Sequence, residues 1–461
     1  MEHEQPVSLT QKFVSGELQF GFWGVIARGV GSINSLFIIS ALTVYQYGVF
    51  QLFFSAYAVL AEFISWGGLA AGTEILRFAG RGNEARAKRL FYEYNALRFV
   101  SAAFFWALFF FGAPAIVTYY HYEPDLIGSI RIMSFMFFAG FFLSVVTTVV
   151  SMRLDFKALS SRRTMGKSFQ LALLIGFFLF SAVGFKEVLL SFVIGHFLST
   201  AILLPAAVRA WKPWRGLMAE RGSLILWRVA RANGKWDSVK NLVSLLGSRV
   251  QPWLINFFVS TEAVGIYGVA TSLAEVVMQA VPRNTMDMLI MKVFHDKTRS
   301  QKVFTYAVKY SVLWSGVLAV GAILAVPFAI QIFLPQYIPS LQFFYFLVAA
   351  VPLKSFQWMT DLFLRAFRQQ KFAFMRGVTR SMFMPVLLLV SLPVIGLWAV
   401  PLTEVLVRIS VAYMGYRHLL KIRPEFRISP QFFFSFGAQD WKIFKDIAVN
   451  MKLFLRRPSV Y

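Results

Sequence analysis

The chain has 461 residues, 57% hydrophobic and only 15% charged, with a formal net charge of +24 at pH 7. This composition is too apolar for a soluble protein of that length and predicts an integral membrane protein. The absence of cysteine excludes disulfides and thiolate metal sites, and the five histidines lack metal-ligand spacing. Because such positive charge suits anionic lipid headgroups in a membrane protein, we expect anionic lipids and no nucleic acid as partners.

Twelve apolar stretches of about 20 residues follow one another, each long enough to cross a bilayer as a helix. They cover residues 20–42, 49–72, 91–118, 128–151, 168–184, 188–208, 241–258, 264–282, 303–333, 341–363, 377–393 and 397–416. The predicted fold class is therefore all-α, a polytopic integral membrane protein with about 12 transmembrane helices.

The gaps between these stretches alternate between basic and almost uncharged. Most of the 46 lysines and arginines lie in the gaps 77–90, 153–167, 209–240, 283–302, 365–380 and 417–461, whereas the alternate gaps together hold only Lys186. Since positive charge stays on the cytoplasmic side of short loops, both termini are predicted to be cytoplasmic. The polar first 18 residues give no sign of a cleavable signal peptide.

The two halves of the chain are related in sequence. At a fixed offset, six residues of the first half match six of the second: Val30, Ser40, Val44, Tyr47, Gly48 and Val49 match Val250, Ser260, Val264, Tyr267, Gly268 and Val269. The shared glycine is expected in the outer turn that opens a helix. Because each half has an even number of spans, the halves are predicted to form two six-helix lobes related by a parallel repeat.

This organisation predicts four segments. They are a six-helix lobe over 1–208, an amphipathic cytoplasmic linker over 209–240, a second six-helix lobe over 241–416, and a basic cytoplasmic tail with an amphipathic helix over 417–461.

Ten charged residues fall within or near the predicted spans: Arg28, Glu62, Arg131, Arg249, Glu275, Asp287, Lys354, Asp361, Glu404 and Arg408. A charge at the bilayer centre costs about 2.5–3.5 kcal/mol on insertion scales, so these residues are not expected to face lipid. For Arg408, Glu404, Asp287 and Lys354 we favour snorkelling or structural ion pairs, with Arg408 and Glu404 paired one helical turn apart.

Arg28 and Arg249 lie at similar depths in spans one and seven, one residue from the register of the repeat. Two interpretations stay open. In the first, each half contributes one arginine to a shared cavity. In the second, the arginines form buried structural ion pairs with Glu62 or Glu275.

Several segments carry a resemblance to a known family. They are Ala41–Leu60 with its run Tyr45–Phe50, Gly67–Phe78, Thr261–Ala270, and Pro335–Tyr337 together with Ala366–Lys371. Taken together, over about residues 10–420, the chain resembles the polysaccharide-unit (Wzx-type, lipid-linked oligosaccharide) flippases of the multidrug/oligosaccharidyl-lipid/polysaccharide exporter superfamily. The resemblance implies two six-helix lobes around a central cavity, alternating access, and lipid-linked oligosaccharides as cargo.

An undecaprenyl-type cargo carries a pyrophosphate, which planar guanidinium groups bind bidentately, so Arg28 and Arg249 become candidate substrate-binding residues. Asn34, Asn256 and Gln251 are candidates for binding the sugars, together with Ser272, Gln279, Trp23, Trp66 and Trp253. Glu62 and Glu275 are candidates for ion coupling, since a carboxylate desolvated in a cavity can carry a proton. A counter-ion role beside an arginine is an equal alternative for both.

The expected function is export of a lipid-linked oligosaccharide unit across the bacterial cytoplasmic (inner) membrane, and the protein is expected to be a monomer. Two other functions stay open, namely a component of a synthase-dependent polysaccharide secretion system and a multidrug-type ion-coupled antiporter. The chain has no nucleotide-binding loop, paired-carboxylate loop or metal cluster, so no enzymatic activity, catalytic residue, metal or cofactor is expected. Candidate protein partners are a polysaccharide polymerase and glycosyltransferases.

Overall fold

The computed structural model describes residues 9–152, 156–180, 183–218, 220, 225–229, 235–281, 297–367, 369–433 and 435–437. Over these residues the protein is built from helices and short turns. The α-helices are α1 (Leu9–Ala41), α2 (Val44–Ile64), α3 (Gly68–Gly80), α4 (Glu84–Tyr119), α5 (Leu126–Met152), α6 (Phe156–Phe180), α7 (Phe185–Trp211), α8 (Ile225–Val229), α9 (Lys235–Phe258), α10 (Thr261–Gln279), α11 (Lys297–Phe333), α12 (Leu341–Ala349), α13 (Val351–Ala366), α14 (Gln370–Ile395) and α15 (Ala399–Ile422).

Each predicted span coincides with one helix or, for spans two and ten, with two consecutive helices. By length and apolar composition alone, seven described stretches could cross a membrane, or eight if the pair Pro335–Ala349 and Val351–Ala366, bent by 40°, is one span. The helices α6, α9 and α10 are not among them. In α6 only the shorter segment Thr164–Phe180 is apolar, and α9 and α10 carry polar residues such as Arg249 and Glu275. The predicted all-α membrane fold with two lobes is confirmed.

Several helices begin earlier than their apolar stretches. The helices α4, α6, α11 and α14 start inside gaps that were expected to be loops. Hydropathy detects the part of a helix that lies in hydrocarbon, whereas the helix itself continues into polar surroundings, where its backbone hydrogen bonds persist. As a result, Arg376 and Arg380 lie on α14 and not in a loop.

The two lobes repeat the same packing. In the first lobe α1 packs on α6, α4 on α5, and both α5 and α6 on α7. In the second lobe α9 packs on α14, α11 on α13, and both α13 and α14 on α15. Numbered as spans, the first, third, fourth and fifth members of each lobe have the same neighbours, which supports the predicted parallel repeat.

A buried lysine in each lobe holds the segment that follows that lobe's last span. Lys88 of α4 donates to the carbonyls of Trp214 (2.6 Å) and Leu217 (2.7 Å). Lys309 of α11 donates to the carbonyl of Ser435 (2.5 Å). Lys88 and Lys309 stand in the same register as Arg28 and Arg249, so this lysine clasp is itself part of the repeat.

The surroundings of both clasps are also alike. The ammonium group of Lys88 lies over the rings of Tyr92 and Trp211, and that of Lys309 over Phe432 and Phe436. Cation–π contact and carbonyl acceptors together compensate for burying each charge.

The described part of the predicted linker packs on the first lobe, where Trp214 and Ile225 are buried against α4 and its neighbours. Glu93 of α4 also accepts the backbone N–H of Leu226 (2.9 Å). The predicted amphipathic helix of the tail, like Asp287, lies outside the described residues.

The lobes meet where α2 crosses α10. At Gly48 a side chain would overlap the carbonyl of Thr261, and at Gly265 it would overlap the carbonyl of Val44. We expected the shared glycine in an outer turn, but Gly48 and Gly268 both lie within the first turns of their helices. Glycine is required at Gly48 and Gly265 because the two backbones approach closely there, as small residues allow in membranes, whereas Gly268 lies against the side chains of Tyr47 and Gln51.

The crossing predicts that Gly48→Ala destabilises the protein, since the added methyl meets backbone and not a movable side chain. A loss of about 1–3 kcal/mol is expected for such overpacking, seen as a lower melting temperature of the detergent-solubilised protein. The matched control is Gly316→Ala on α11, where nothing lies within 4 Å of the new methyl group. Equal melting temperatures for the two variants would contradict the close crossing.

The alternating charge predicts the orientation of the bundle, which single cysteines can report because the chain has none of its own. Cysteines at the exposed residues Asp125 and Pro339 should react with a membrane-impermeant thiol reagent in intact cells. Cysteines at the exposed residues Arg81 and Met218 should react only after the cells are opened. Labelling of the cysteine that replaces Met218 in intact cells would overturn the predicted orientation.

Candidate functional site

A polar cavity of about 310 Å³ lies in the second lobe, on the side that faces α2 of the first. Its walls come from α9, α10, the α12–α13 junction, α14 and α15, with Gln51 contributed by α2. Its polar lining residues are Gln51, Arg249, Gln251, Tyr267, Thr271, Glu275, Lys354, Arg380, Glu404 and Arg408.

The cavity lies at mid-membrane depth. We call the end of the bundle that holds residues 119–126 and 334–340 the charge-poor end, and the opposite end the basic end. Counting about 1.5 Å per helical residue from the charge-poor ends of their helices, Gln51, Tyr267 and Arg408 lie about 9–14 Å deep and Glu275 about 21 Å deep. A hydrocarbon core is about 30 Å thick, so the cavity occupies its middle.

The charges of the lining are unbalanced. Four basic residues, Arg249, Lys354, Arg380 and Arg408, face two carboxylates, Glu275 and Glu404. In a low-dielectric setting, charges of one sign at such proximity repel strongly unless an anion joins them. The cavity is therefore suited to an anionic ligand.

One of the two carboxylates is already engaged. Arg408 donates to Glu404 Oε1 through Nε (3.1 Å) and also through Nη2, and the Tyr267 hydroxyl donates to Glu404 Oε2 (2.9 Å). The Arg408–Glu404 pair expected from sequence is thus present. This pair neutralises Arg408 in this conformation, and Glu404 also lies near enough to Arg380 and Lys354 for their charges to interact with it.

Arg249 is positioned by the first lobe. Ser55 of α2 donates to the Arg249 carbonyl (2.8 Å) and accepts a hydrogen bond from Trp253 Nε1 (2.9 Å). These bonds hold the backbone of α9 against α2, while the side chain of Arg249 is exposed to the cavity. The guanidinium therefore stands at the lobe interface.

The backbone also opens onto the cavity. The helix of span ten is broken between α12 and α13, and Ala350 and Val351 at the break line the wall. Pro352 follows, and it cannot donate a backbone hydrogen bond. Interrupted helices inside membranes are tolerated where they line a polar cavity, and transporter binding sites are built from such helices.

The candidate binding residues are divided between the cavity and its surroundings. Arg249, Gln251 and Glu275 line the cavity. Arg28 lies outside its lining and donates to the Gln279 carbonyl at the end of α10 (3.1 Å). That contact joins the lobes toward the basic end, where a helix C-terminus favours a cation. Among the described residues, neither arginine pairs with Glu62 or Glu275.

The other three candidates also lie away from the cavity lining. Asn34 of α1 is buried, 5% exposed, and its Oδ1 atom has no hydrogen-bond partner in the described part of the chain. The Asn256 amide oxygen accepts from the Thr261 hydroxyl (2.7 Å) at the junction of α9 and α10. Glu62 lies in the first lobe, near Tyr94.

Four polar residues of the cavity were neither candidate site residues nor expected membrane charges, namely Gln51, Tyr267, Thr271 and Arg380. Arg380 was counted in a basic loop, although its spacing of four residues from Arg376 is typical of one helix face. Gln51 comes from the first lobe, and no local pattern in the sequence marks it. Among the described residues, no group of His, Asp and Glu side chains could hold a metal ion.

The contacts between the lobes cluster toward the charge-poor end. Gln336 Nε2 (2.9 Å) and the Tyr337 hydroxyl (2.8 Å) donate to the Leu42 carbonyl. The Tyr47 hydroxyl lies 3.0 Å from Ser272 Oγ, and the rings of Tyr120 and Trp253 are 6.0 Å apart. Together with the glycine crossing, these contacts close the charge-poor side of the bundle.

Comparisons with known proteins agree with this architecture. A profile of the family described as "Polysaccharide biosynthesis protein" matches residues 40–290. No curated protein sequence matches the chain.

Several solved structures have a similar fold, including the following two. A multidrug resistance MATE family transporter of the MOP superfamily, in an inward-facing conformation, superposes with a TM-score of 0.69 at 12% identity, covering 89% of this chain and 95% of that one. Lipid II flippase MurJ, in an inward closed conformation, gives a TM-score of 0.71 at 10% identity, covering 90% of this chain and 89% of that one. At these identities the similarity establishes the fold.

The family match covers more than half of the chain, and the resemblance noted in the sequence is confirmed in family and in fold. The protein belongs to the polysaccharide biosynthesis protein family and is a multi-pass membrane protein with the fold of the MOP-superfamily flippases and exporters.

Proposed function

We propose that the protein moves a lipid-linked oligosaccharide unit, carried on an undecaprenyl-type pyrophosphate, from the cytoplasmic to the outer face of the bacterial inner membrane. The observation that carries this proposal is the cationic cavity at mid-membrane depth, in the second lobe of a flippase and exporter fold and facing α2 of the first lobe. Membership of a polysaccharide biosynthesis family supports a saccharide-bearing cargo.

The pyrophosphate is assigned to the basic side chains of the cavity. Arg249 and Arg380 offer planar forks that bind phosphate oxygens bidentately, and Lys354 offers a compact positive charge. Desolvating a pyrophosphate without such partners is prohibitive, because an unpaired charge in a low-dielectric medium costs many kcal/mol. The sugars would then lie toward α2, where Gln51 and the Tyr47–Ser272 pair provide polar groups.

Alternating access gives the cargo its route. The charge-poor side is closed by the glycine crossing and by the Leu42 contacts, so this conformation would receive cargo from the basic, cytoplasmic side. Arg28 reaches the end of α10 on that side. If the Arg28 guanidinium leaves the Gln279 carbonyl, it can bind the incoming pyrophosphate. We therefore keep Arg28 as a proposed cargo-binding residue.

The same charges argue against the two alternatives from the sequence. An antiporter for lipophilic cations needs an acidic or neutral cavity, and here four basic residues outnumber two carboxylates. A secretion component acting as a scaffold needs no charged cavity inside the membrane, where each charge is costly.

Arg249→Ala is expected to weaken binding of undecaprenyl pyrophosphate by about tenfold or more, the equivalent of one lost charge-assisted hydrogen bond or more. Arg249→Lys should weaken it less, because the charge stays while the fork is lost. Binding can be measured by microscale thermophoresis on the detergent-solubilised protein.

Arg131→Ala is the matched control, since Arg131 is an exposed membrane arginine outside the cavity that lies over the Phe110 ring. It should bind the lipid as the parent does. If Arg249→Ala also binds like the parent, the cavity is not the pyrophosphate site.

Proton coupling is assigned to Glu275, which is exposed to the cavity beside the basic residues. In proteoliposomes the parent should transport faster when a pH gradient is imposed, and Glu275→Gln should remove that dependence by fixing the neutral form. If the parent protein transports at the same rate with and without the pH gradient, proton coupling is wrong and Glu275 acts only as a counter-ion.

A further inference from the structure

Arg98 is a charged side chain buried inside the first lobe. It lies on α4, is 4% exposed, and was not among the intramembrane charges expected from sequence. Its Nη1 donates to Ser144 Oγ of α5 (2.6 Å), and its guanidinium lies over the rings of Tyr94 and Phe141. These contacts stabilise the group only in part, because its Nε has no partner in the described part of the chain.

No carboxylate among the described residues pairs with Arg98. A buried ion costs several kcal/mol unless a counter-charge and hydrogen bonds offset that cost. A hydroxyl group and aromatic rings, which are the contacts of Arg98 here, usually offset less of this cost than a carboxylate does. Within the described residues the charge of Arg98 is therefore compensated only in part, and a carboxylate that reached it in another conformation would stabilise it.

Glu62 of α2 carries a carboxylate near Tyr94, the same tyrosine that Arg98 contacts. It is near enough to Tyr94 for its charge to act on the phenol, as does the charge of Arg98. Glu62 has no ion pair or hydrogen bond within the part of the chain that the structure describes. Two opposite charges therefore flank one tyrosine without meeting.

The two charges lie on elements that can move relative to each other. Glu62 occupies the last turns of α2, a helix that packs mainly on α9 and α10 of the second lobe. Arg98 belongs to α4, which packs within the first lobe on α5. When the lobes rock, α2 follows the second lobe through the glycine crossing, and Glu62 is carried past Arg98.

The chain has a joint at this place. After α2 the backbone breaks, and Gly67 takes a left-handed conformation (φ 71°) before α3 begins. The Tyr94 hydroxyl donates to the Ser65 carbonyl at the break (3.2 Å) and also contacts Gly68. A joint of this kind absorbs a change in backbone angle over a few residues.

We propose that Arg98 is a positioning residue of the transport cycle, which forms an ion pair with Glu62 in the conformation opposite to this one. The pair stabilises the state in which the charge-poor side is open, and Tyr94 separates the two charges in the state described here. The inference rests on the lobes exchanging between two states, and it does not depend on the identity of the cargo.

Disulfide trapping tests the approach directly, because Glu62→Cys with Arg98→Cys would contain the only thiols in the chain. A disulfide needs the two Cα atoms within about 7 Å. We expect oxidation in membranes to cross-link the pair, and the cross-linked protein to lose the slow transport that the reduced double-cysteine variant keeps. Absence of the cross-link in the membrane-inserted variant would overturn the proposal.

Substitutions separate positioning from structure. Because Arg98 lacks a counter-charge here, Arg98→Met should keep or raise the melting temperature, yet slow transport about tenfold or more by removing stabilisation of the opposite state. Exchanging the charges, Glu62→Arg with Arg98→Glu, should restore transport to within about threefold of the parent. Unchanged transport in Arg98→Met, or an exchanged variant no better than the single ones, would overturn the pair.

The assay uses the full chain in proteoliposomes supplied with an undecaprenyl pyrophosphate-linked oligosaccharide. Parent protein that fails to move this lipid would count against the proposed cargo alone. The cross-link needs no cargo, so it decides the ion pair in either case.

Discussion

A charge inside hydrocarbon must be compensated, and this requirement decides where the polar residues of the protein lie. The buried basic groups contact carbonyls, rings, hydroxyls or carboxylates, as in the two lysine clasps and in the Arg408–Glu404 pair. The cavity in the second lobe is different, since among the described residues the cations that line it outnumber the carboxylates. An anionic cargo is thus favoured by the same physics that keeps charge out of the lipid-facing surface.

The cavity and the lobe interface share one helix. On α10, Tyr267 turns its hydroxyl to Glu404 in the cavity, while the neighbouring Gly268 lies against Gln51 and Tyr47 of the first lobe. A ligand that draws Arg408 away from Glu404 would also change what holds Tyr267. Binding in the cavity and the angle between the lobes are therefore linked through adjacent residues, as a transporter with two states requires.

The fold was largely predictable, because twelve apolar stretches and alternating charge are strong signals in a membrane protein. The Arg408–Glu404 pair followed from helical spacing, and Arg249, Gln251 and Glu275 were selected because polar residues are rare at such depth. Arg380 was missed because hydropathy cannot tell a polar helix turn from a loop. Arg28 and Arg98 show a second reason, since the partner of a buried charge depends on how distant helices pack. Nothing in the sequence near Arg98 indicates Ser144, whereas Tyr94 lies one helical turn from Arg98 and follows from helical spacing.

The two lysine clasps have a consequence for how the chain can vary. Each ammonium group binds main-chain carbonyls of the segment after its lobe, and every amino acid possesses a carbonyl. The fastening therefore places little demand on which side chains those segments carry beyond an aromatic cover. It depends instead on the path of the backbone, so substitutions should be accepted there far more readily than insertions or deletions between the last span and the clasp. The surface residues of the linker and of the start of the tail can therefore change, and with them the molecules that these segments contact. Each lysine clasp would still fasten its segment at the same point of its lobe.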